Sequence, residues 1–372
     1  MNLQIKPVTG RRELKEFVYL PARLHQNHGL WVPPIYMEER QFFDSQKNKA
    51  FSYSDTTMAL ASRNGQFVGR IMGIINRKHN QLANEKTARF GYLECINDQE
   101  TAHALLSHVE QWAQQHGMNR IVGPMGFSDQ DPGGFLIEGA EHEPTLATYY
   151  NFDYIISFLE AKGYAKEVDY VVYKIALTKG IMQSYARIFK KLSKSKHFKL
   201  VTFHKRKEIK PYIHPILHLM NEVYANLYGF VPLSEEEAEH LAKQYLPLLD
   251  PRFINVITKD DQVIAFIIGM PNINEGLRQA RGHLYPFGIF KILRAAKTAK
   301  QLDLLLGGVK DEYRGLGLHL LLGTSIFNSA MEAGFEYVDS NNTLESNRLF
   351  CAAVERIGGE IYKRYRIFQK GL

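Results

Sequence analysis

Two apolar patterns alternate along the chain. Short runs in which apolar and polar residues alternate predict strands, and longer segments with apolar residues every three or four positions predict helices. In the first half the predicted strands are 3–8, 57–62, 67–76, 90–96, 120–124 and 170–175. The predicted helices are 11–25, 101–116 and 151–162, and Asn64-Gly65 predicts a hairpin turn.

The second half repeats this order. Its predicted strands are 198–203, 253–258, 263–270, 302–309, 337–339 and 361–368, and its predicted helices are 209–227, 316–333, 344–357 and one beginning after the capping box Ser234 to Glu237. The order β-α-β-β-β-α-β-α-β therefore occurs twice. We expect two α/β domains, residues 1–178 and 179–372, joined within a basic, serine-bearing stretch near 176–196.

The segment 304–322 has the composition of an anion site. An apolar strand runs into a short basic turn with Gly315 and Gly317, and the turn opens a helix. Backbone N–H groups at a helix N-terminus attract negative charge, and glycine lets a bulky phosphate approach the backbone. Arg314 adds a charged fork. A strand, turn and helix whose glycines only make a tight turn is the alternative.

This segment resembles motif A of the GNAT acyltransferase superfamily, Gln/Arg-x-x-Gly-x-Gly/Ala, in which the loop grips the pyrophosphate of acyl-coenzyme A. Arg314, Gly317 and Leu318 fit the motif, whereas His319 stands where the family has a small residue. The fold implied is α/β (α+β), with two tandem GNAT-like domains. The resemblance implies acetyl-CoA or a longer acyl-CoA as co-substrate, with these binding residues: Val309, Arg314, Gly315, Leu316, Gly317, Leu318 and Asn342.

The first half lacks the phosphate loop. Its corresponding strand is followed by the acidic, glycine-free stretch 97–100, which would repel a pyrophosphate. We therefore expect no cofactor there and interpret this half as a helper that completes the substrate site. The chain is also similar to a family of bacterial tandem GNAT-like proteins near the bacterial ceramide synthases, which join a fatty acyl group to a long-chain amine. This similarity is carried by residues 32–34, 74–80, 123–128 and 285–288.

Acyl transfer to an amine needs a proton acceptor and a donor that polarises the thioester. We name Glu94, Asp129 and His79 as catalytic candidates, with Asp131 as an alternative to Asp129. Each has an ordinary alternative: Glu94 on an open strand face, the aspartates in a solvated turn, and His79 on the surface. The family's usual acid, a tyrosine on the helix after the fifth strand, falls at Val354, and Cys351 on that helix is more simply a buried structural cysteine.

Composition limits the other function classes. The net charge of +7 suits an anionic cofactor, a membrane or nucleic acid, but the cluster 190–207 has no nucleic-acid-binding signature, so no nucleic acid is expected. The histidines show no metal spacing, and we predict no metal. Two cysteines, and no apolar signal core at Met1, fit the cytoplasm. The basic amphipathic segment 287–300 either contacts the inner membrane face or is an ordinary packed helix.

The implied function is acyl-CoA-dependent N-acyl transfer to a small-molecule or lipid amine. If the acyl chain or acceptor is long, we expect an apolar channel with segment 285–293 and helix 209–227 as walls. The alternative is a non-catalytic acyl-CoA- or ligand-binding GNAT-like module, in which Val354 and His319 mark lost chemistry. The sequence does not indicate an oligomeric state.

Overall fold

A computed structural model describes residues 3–146, 148–178, 197–245 and 249–372, so the basic stretch 190–196 lies outside the described residues. The chain forms two compact units. Unit one comprises Met1–Val171, Asn274–Arg294 and Tyr362–Leu372, and unit two comprises Val172–Ile273 and Ala295–Ile361. The boundary that we expect at residue 178 divides the chain into two repeats rather than into these compact units, and it stays a prediction.

Unit one contains most elements of the first half. Its strands are β1 (Leu3–Pro7), β2 (Ser54–Arg63), β3 (Gln66–Asn76), β4 (Thr87–Cys95), β5 (Arg120–Gly123), β6 (Phe135–Glu138) and the first part of β7 (Ala165–Ala176). Its helices from the first half are α1 (Arg11–Leu24), α2 (Tyr36–Phe42), α3 (Arg77–Ala83), α4 (Gln99–Gln115) and α5 (Tyr154–Ala161). The Asn64-Gly65 hairpin between β2 and β3 is confirmed, with positive φ at both residues.

The sheet of unit one has a helix on each face. Strands β1 to β4 pair antiparallel in sequence order, and β5 joins β4 in parallel. Alternate residues of β3 point to opposite faces, as a two-residue period requires. Ile71 packs in one core with Leu105 of α4, and Met72 packs in the other with Phe17 of α1.

Unit two repeats this plan. Its elements are the rest of β7, β8 (Lys199–Thr202), α6 (Arg206–Ile209), α7 (Ile213–Val223), α8 (Glu235–Tyr245), β9 (Ile254–Lys259), β10 (Gln262–Pro271), β11 (Gln301–Val309), α11 (Leu318–Glu332), β12 (Tyr337–Asp339), β13 (Thr343–Leu344) and α12 (Arg348–Arg356). Strands β8 to β11 pair antiparallel in the order β8-β9-β10-β11, and β12 joins β11 in parallel. Leu318, Leu321 and Leu322 of α11 pack against Ile257 and Ile264 of this sheet.

Four elements depart from a simple tandem repeat. Two helices, α9 (Asn274–Ala280) and α10 (Gly288–Thr298), are inserted between β10 and β11, and unit one contains all of α9 and most of α10. The last strand, β14 (Glu360–Gly371), pairs antiparallel with β5 of unit one over residues 368–371. Conversely, β7 begins in unit one and ends in unit two, where residues 174–176 pair with β12.

Candidate functional site

An open strand edge lies in the middle of unit two. Strand β12 pairs with β11 over Gln301, Leu302 and Asp303, then ends at Asp339, whereas β11 continues to Val309. A register shift between Ile268 and Gly269 marks a bulge in the pairing of β10 with β11. Parallel strands that separate after three residue pairs leave the edge of the longer strand accessible to an extended ligand.

The open part of β11 is apolar yet incompletely covered. Leu304, Leu305 and Leu306 are only partly buried and Gly307 is exposed. Three partly exposed leucines in succession are unusual for the central strand of a sheet, because burying such side chains contributes much of the stability of a core. The strand therefore presents an apolar surface suited to the hydrocarbon portion of a ligand.

The hydroxyl of Tyr224, at the end of α7, lies against this strand. It accepts a hydrogen bond from the Gly307 N–H and donates one to the Gly307 carbonyl, both at 3.1 Å. Helix α7 approaches so closely because Gly308 has no side chain: a Cβ there would lie 2.6 Å from Val223 Cγ2. The Tyr224 hydroxyl thus engages both backbone polar groups of Gly307 on this strand.

The turn after β11 exposes a helix N-terminus. Gly315 and Gly317 have φ of 82° and 80°, and α11 begins with Gly317 as an N-cap that provides no side-chain hydrogen bond. Arg314 is exposed, with an ion pair of 2.7 Å to Asp311. His319 is also exposed, so the residue that departs from motif A does not fill the contact between helix and strand. Uncapped N–H groups beside an exposed arginine are suited to bind an anion.

Polar groups follow β12 on the other side of the opening. Asn341 has φ of 59° and its N–H donates to Asp339, while the Asn342 N–H donates to the side chain of Asn341. The Asn342 Oδ1 atom is buried and has no hydrogen-bond partner among the described residues. A buried amide acceptor without a partner is costly unless a ligand satisfies it, so Asn342 suits the amide N–H of a bound ligand.

The position of the family's usual acid holds no proton donor. Val354 on α12 is buried, and the phenol nearest this helix belongs to Tyr173 of β7, whose hydroxyl donates to Glu355 at 2.8 Å. Burial, with hydrogen bonds to Cys351 and Glu355, raises the pKa of Tyr173 well above its ordinary value. Tyr173 is therefore a poor proton donor at neutral pH.

The corresponding opening in unit one is filled by the protein itself. Strands β4 and β5 also pair over only three residues, 87–89 with 120–122, and β4 continues to Cys95. Here the Met125 N–H donates to the Phe90 carbonyl at 2.8 Å, and the Tyr92 N–H donates to the Tyr149 hydroxyl at 2.9 Å. Chain segments of unit one thus bind the Phe90 carbonyl and the Tyr92 N–H, which lie beyond the residues of β4 that pair with β5.

A carboxylate also occupies the N-terminus of the helix that follows β4. The Asp98 side chain accepts from the Thr101 N–H at 3.2 Å and forms an ion pair of 2.7 Å with Arg63. Asp98 therefore caps α4, where α11 has an uncapped glycine. A phosphate at α4 would have to displace a bound carboxylate, which supports our expectation that only the second half binds a phosphorylated ligand.

Glu94 belongs to a buried ionic cluster in unit one. Its two oxygens lie 2.8 Å from the Arg70 guanidinium and 3.3 Å from His25 Nε2, and His25 Nδ1 lies 2.9 Å from His28 Nδ1. Burial disfavours the charged form of Glu94, but Arg70 and His25 outweigh it and hold the pKa of this carboxyl below its ordinary value. Glu94 thus points inward, ionised rather than protonated.

Two further carboxyls near this cluster have a raised pKa, in contrast to the lowered pKa of Glu94. Burial raises the pKa of Glu39 to about 7, and burial raises that of Asp131 to about 6 despite backbone N–H groups that donate to it. The sequence did not reveal Glu39, His25 or His28 as site residues. The one usable signal was Arg70, a charged residue inside an otherwise apolar strand.

The structure separates two of the three catalytic candidates, Glu94 and His79. Glu94 faces Arg70 in the β3–β4 pair, whereas His79 lies in α3, beyond the other end of β3. At ~3.3 Å per residue, the strand from Arg70 to its last residue, Asn76, is about 20 Å long. Asp129 lies in the loop after β5 and its charge acts on Tyr170, while Asp131 of the same loop acts on Glu39. Their catalytic roles stay predictions.

The proposed channel walls are partly wrong. Tyr285, Phe287, Phe290 and Leu293 are exposed and line no interior channel. They lie in the insertion between β10 and β11, where only Gly288 and Ile292 of α10 are fully buried. Among the described residues, no three His, Cys, Asp or Glu side chains are arranged to hold a metal ion.

Two proteins are similar to this chain along its whole length. Protein YghO of Escherichia coli (strain K12) is 28% identical over 373 residues, covering 98% of this chain and 95% of that protein. The bacterial ceramide synthase of Caulobacter vibrioides is 27% identical over 379 residues, covering 100% and 98%. No protein-family model matches the chain.

Solved structures show the fold. A tandem GNAT protein from the clavulanic acid biosynthesis pathway superposes with a TM-score of 0.57 at 14% identity, covering 100% of this chain and 98% of that one. A probable N-acyltransferase from Enterococcus faecalis superposes with a TM-score of 0.51 at 10% identity, covering 100% and 73%. The predicted α/β class and the resemblance to tandem GNAT proteins are confirmed.

Proposed function

We propose that this chain, which has the tandem GNAT fold, is an acyl-CoA-dependent N-acyltransferase whose unit two binds the acyl-CoA. One observation carries the proposal: the open apolar edge of β11 leads directly into the uncapped N-terminus of α11. The edge suits an acyl and pantetheine chain, and the helix end suits a pyrophosphate. Val309, Arg314, Gly315, Leu316, Gly317, Leu318 and Asn342 remain our proposed binding residues.

In the proposed reaction the neutral amine attacks the thioester carbonyl carbon directly. The C–N bond forms, the C–S bond breaks, and the amine proton passes to a base while the thiolate leaves. The Tyr224 hydroxyl, which donates to the Gly307 carbonyl in this structure, would redirect that hydrogen bond to the oxygen of a thioester carbonyl bound beside Gly307. A donor aimed at a developing oxyanion stabilises the transition state. We therefore propose a polarising role for Tyr224.

A long-chain or lipid amine is our preferred acceptor. The apolar surface at Leu304 to Leu306 supports a long chain, and one full-length relative is named a ceramide synthase. A small-molecule amine remains the other option. Chain length separates the two, because each buried methylene contributes ~0.8 kcal/mol, about fourfold in affinity.

Release of free thiol tests the reaction. Acetyl-, octanoyl- and palmitoyl-CoA, each below its micelle concentration, are incubated with a short-chain and a long-chain amine, and thiol is followed with a chromogenic disulfide. We expect amine-dependent release that is fastest with the long acyl chain. Release that favours acetyl-CoA would leave only the small-amine version.

A non-catalytic acyl-CoA-binding module is the second candidate. It is favoured by Val354 at the acid position and by the raised pKa of Tyr173. The same assay separates the candidates: undiminished acyl-CoA binding without amine-dependent thiol release would support the module and contradict catalysis.

A further inference from the structure

The insertion between β10 and β11 has an exposed aromatic surface. In the first half only the short helix α3 separates β3 from β4, but α9 and α10 both separate β10 from β11. The surface consists of Tyr285, Phe287, Phe290 and Leu293, whose exposed fractions are 75%, 69%, 66% and 45%. We call these four residues, all in unit one, the aromatic surface.

The aromatic surface is held outward by close packing behind it. Ile292 is 3% exposed, and a Cβ on Gly288 would lie 1.7 Å from the His283 carbonyl oxygen, so α10 is fixed against its own loop. Phe290 and Leu293 are three positions apart and share one side of the helix, facing away from Ile292. Burying large apolar side chains is favourable, so four exposed ones in a firmly packed segment indicate a surface that something else covers.

The charge around the aromatic surface is positive. Lys291 and Arg294 are exposed on α10, and residues 276–300 include no Asp or Glu. Two carboxylates in this part of unit one, Glu275 and Glu143, form ion pairs with Arg278. An aromatic surface bordered by lysine and arginine matches a bilayer with anionic headgroups, because the rings enter the boundary between headgroups and acyl chains while the cations meet phosphates.

We propose that the aromatic surface, with Lys291 and Arg294, docks unit one onto an anionic membrane. None of the described helices is long and apolar enough to span a bilayer. The contact that we propose is with the membrane surface. The proposal does not depend on the proposed acyl transfer, because docking requires neither acyl-CoA nor the loop at Gly315.

Sedimentation with lipid vesicles tests the docking. The full-length protein is mixed with vesicles of phosphatidylcholine alone or with phosphatidylglycerol added. We expect binding to the anionic vesicles only, and at least a tenfold loss of affinity in Phe290→Asp. Leu82→Asp is the matched control: Leu82 is 64% exposed on α3 of the same unit, and the substitution changes the net charge equally. This control should bind like the unsubstituted protein.

Insertion of the rings is tested by fluorescence. Phe290→Trp should show a blue-shifted emission with anionic vesicles and be quenched by brominated acyl chains, whereas Leu82→Trp should show neither change. Lys291→Glu with Arg294→Glu should weaken binding most at low salt. If Phe290→Asp bound as tightly as Leu82→Asp, the interaction would be only the adsorption of a basic protein, and the proposal would be overturned. Equal binding to neutral and anionic vesicles, or equal quenching of Phe290→Trp and Leu82→Trp, would also overturn it.

Discussion

The ionisation of Glu94 shows how far the properties of a single residue can be predicted from its place in the sequence. A carboxylate in an apolar strand lies either inward or on an open face of the sheet, and its pKa depends on partners from other elements. Arg70 and His25, from β3 and α1, hold the pKa down, and the sequence does not place either beside Glu94. The sequence thus left the inward and the open-face positions of Glu94 both possible, and it did not indicate that the pKa of an inward Glu94 would be lowered.

Removing Arg70 should destabilise unit one strongly. Its guanidinium binds Glu94 and the Phe17 carbonyl, and its loss leaves a buried carboxylate without its main counter-charge. We expect Arg70→Leu to lower the free energy of unfolding by ~3–5 kcal/mol, measured by urea denaturation. The double variant Arg70→Leu/Glu94→Leu should recover part of that loss. A single variant as stable as the unsubstituted protein would show that this ion pair contributes nothing.

Glu39 should make stability fall with rising pH. Its pKa is about 7 in the folded protein against an ordinary 4.5, so the folded state holds a proton that the unfolded state releases. The contribution of Glu39 to stability is complete below pH ~4.5 and is lost as the pH rises through about 7. Urea denaturation at several pH values should show this fall diminished in Glu39→Gln and unchanged in Glu160→Gln, which alters an exposed residue. Equal pH dependence in both variants would contradict the assignment.

Kinetics should separate the three catalytic candidates. Glu94 is linked through His25 to His28, which is partly exposed, so this chain of groups can pass a proton outward. We expect Glu94→Gln to lower kcat by about 100-fold with little change in KM for acyl-CoA. Asp129→Asn and His79→Gln should stay within about threefold, because neither residue joins this cluster. Full activity in Glu94→Gln would exclude Glu94 as a catalytic residue. A large loss of kcat in Asp129→Asn or His79→Gln would assign the catalytic role to the residue replaced.

At the scale of elements, periodic segments were predicted well and short or inserted ones were not. The long helices and central strands match the apolar periods to within a few residues. Helix α12 begins at Arg348 rather than 344, because Thr343–Leu344 forms a strand first and Asn347 caps the helix. Helices α2, α3 and α9 are too short for a period to be evident, and their positions depend on local caps and tertiary contacts.

The pair Gly307 and Gly308 should respond very differently to a methyl group. A Cβ on Gly308 would meet Val223 at 2.6 Å, but on Gly307 the nearest atom is 3.6 Å away. We expect Gly308→Ala to destabilise the protein by ~1–3 kcal/mol and to displace the end of α7, lowering kcat through Tyr224. Gly307→Ala should change stability by less than ~0.5 kcal/mol. Thermal unfolding measures both, and equal effects would contradict this packing.

At the scale of the whole molecule, the repeated order of elements was predictable from the sequence, but the pairing partners of β7 and β14 were not. Both β7 and β14 are long strands with ordinary apolar patterns, and nothing local says that β14 pairs with β5 or that β7 reaches β12. The difference between the opening beside β4 and the opening beside β11 was only partly predictable from the sequence. The acidic stretch at Asp98 indicated it, but the filling of the first opening by Met125 and Tyr149 depends on contacts distant in sequence.

The central claim, that the turn before α11 binds coenzyme A, is tested most directly by calorimetric titration. Gly315 and Gly334 lie beside the two ends of α11, with φ of 82° and 87° and open space at both. Gly315→Glu and Gly334→Glu therefore introduce the same charge and similar backbone strain. We predict one coenzyme A per chain, unchanged in Gly334→Glu and weakened at least ~100-fold in Gly315→Glu by repulsion of the pyrophosphate. Undiminished affinity in a folded Gly315→Glu, or two molecules bound per chain, would contradict the account.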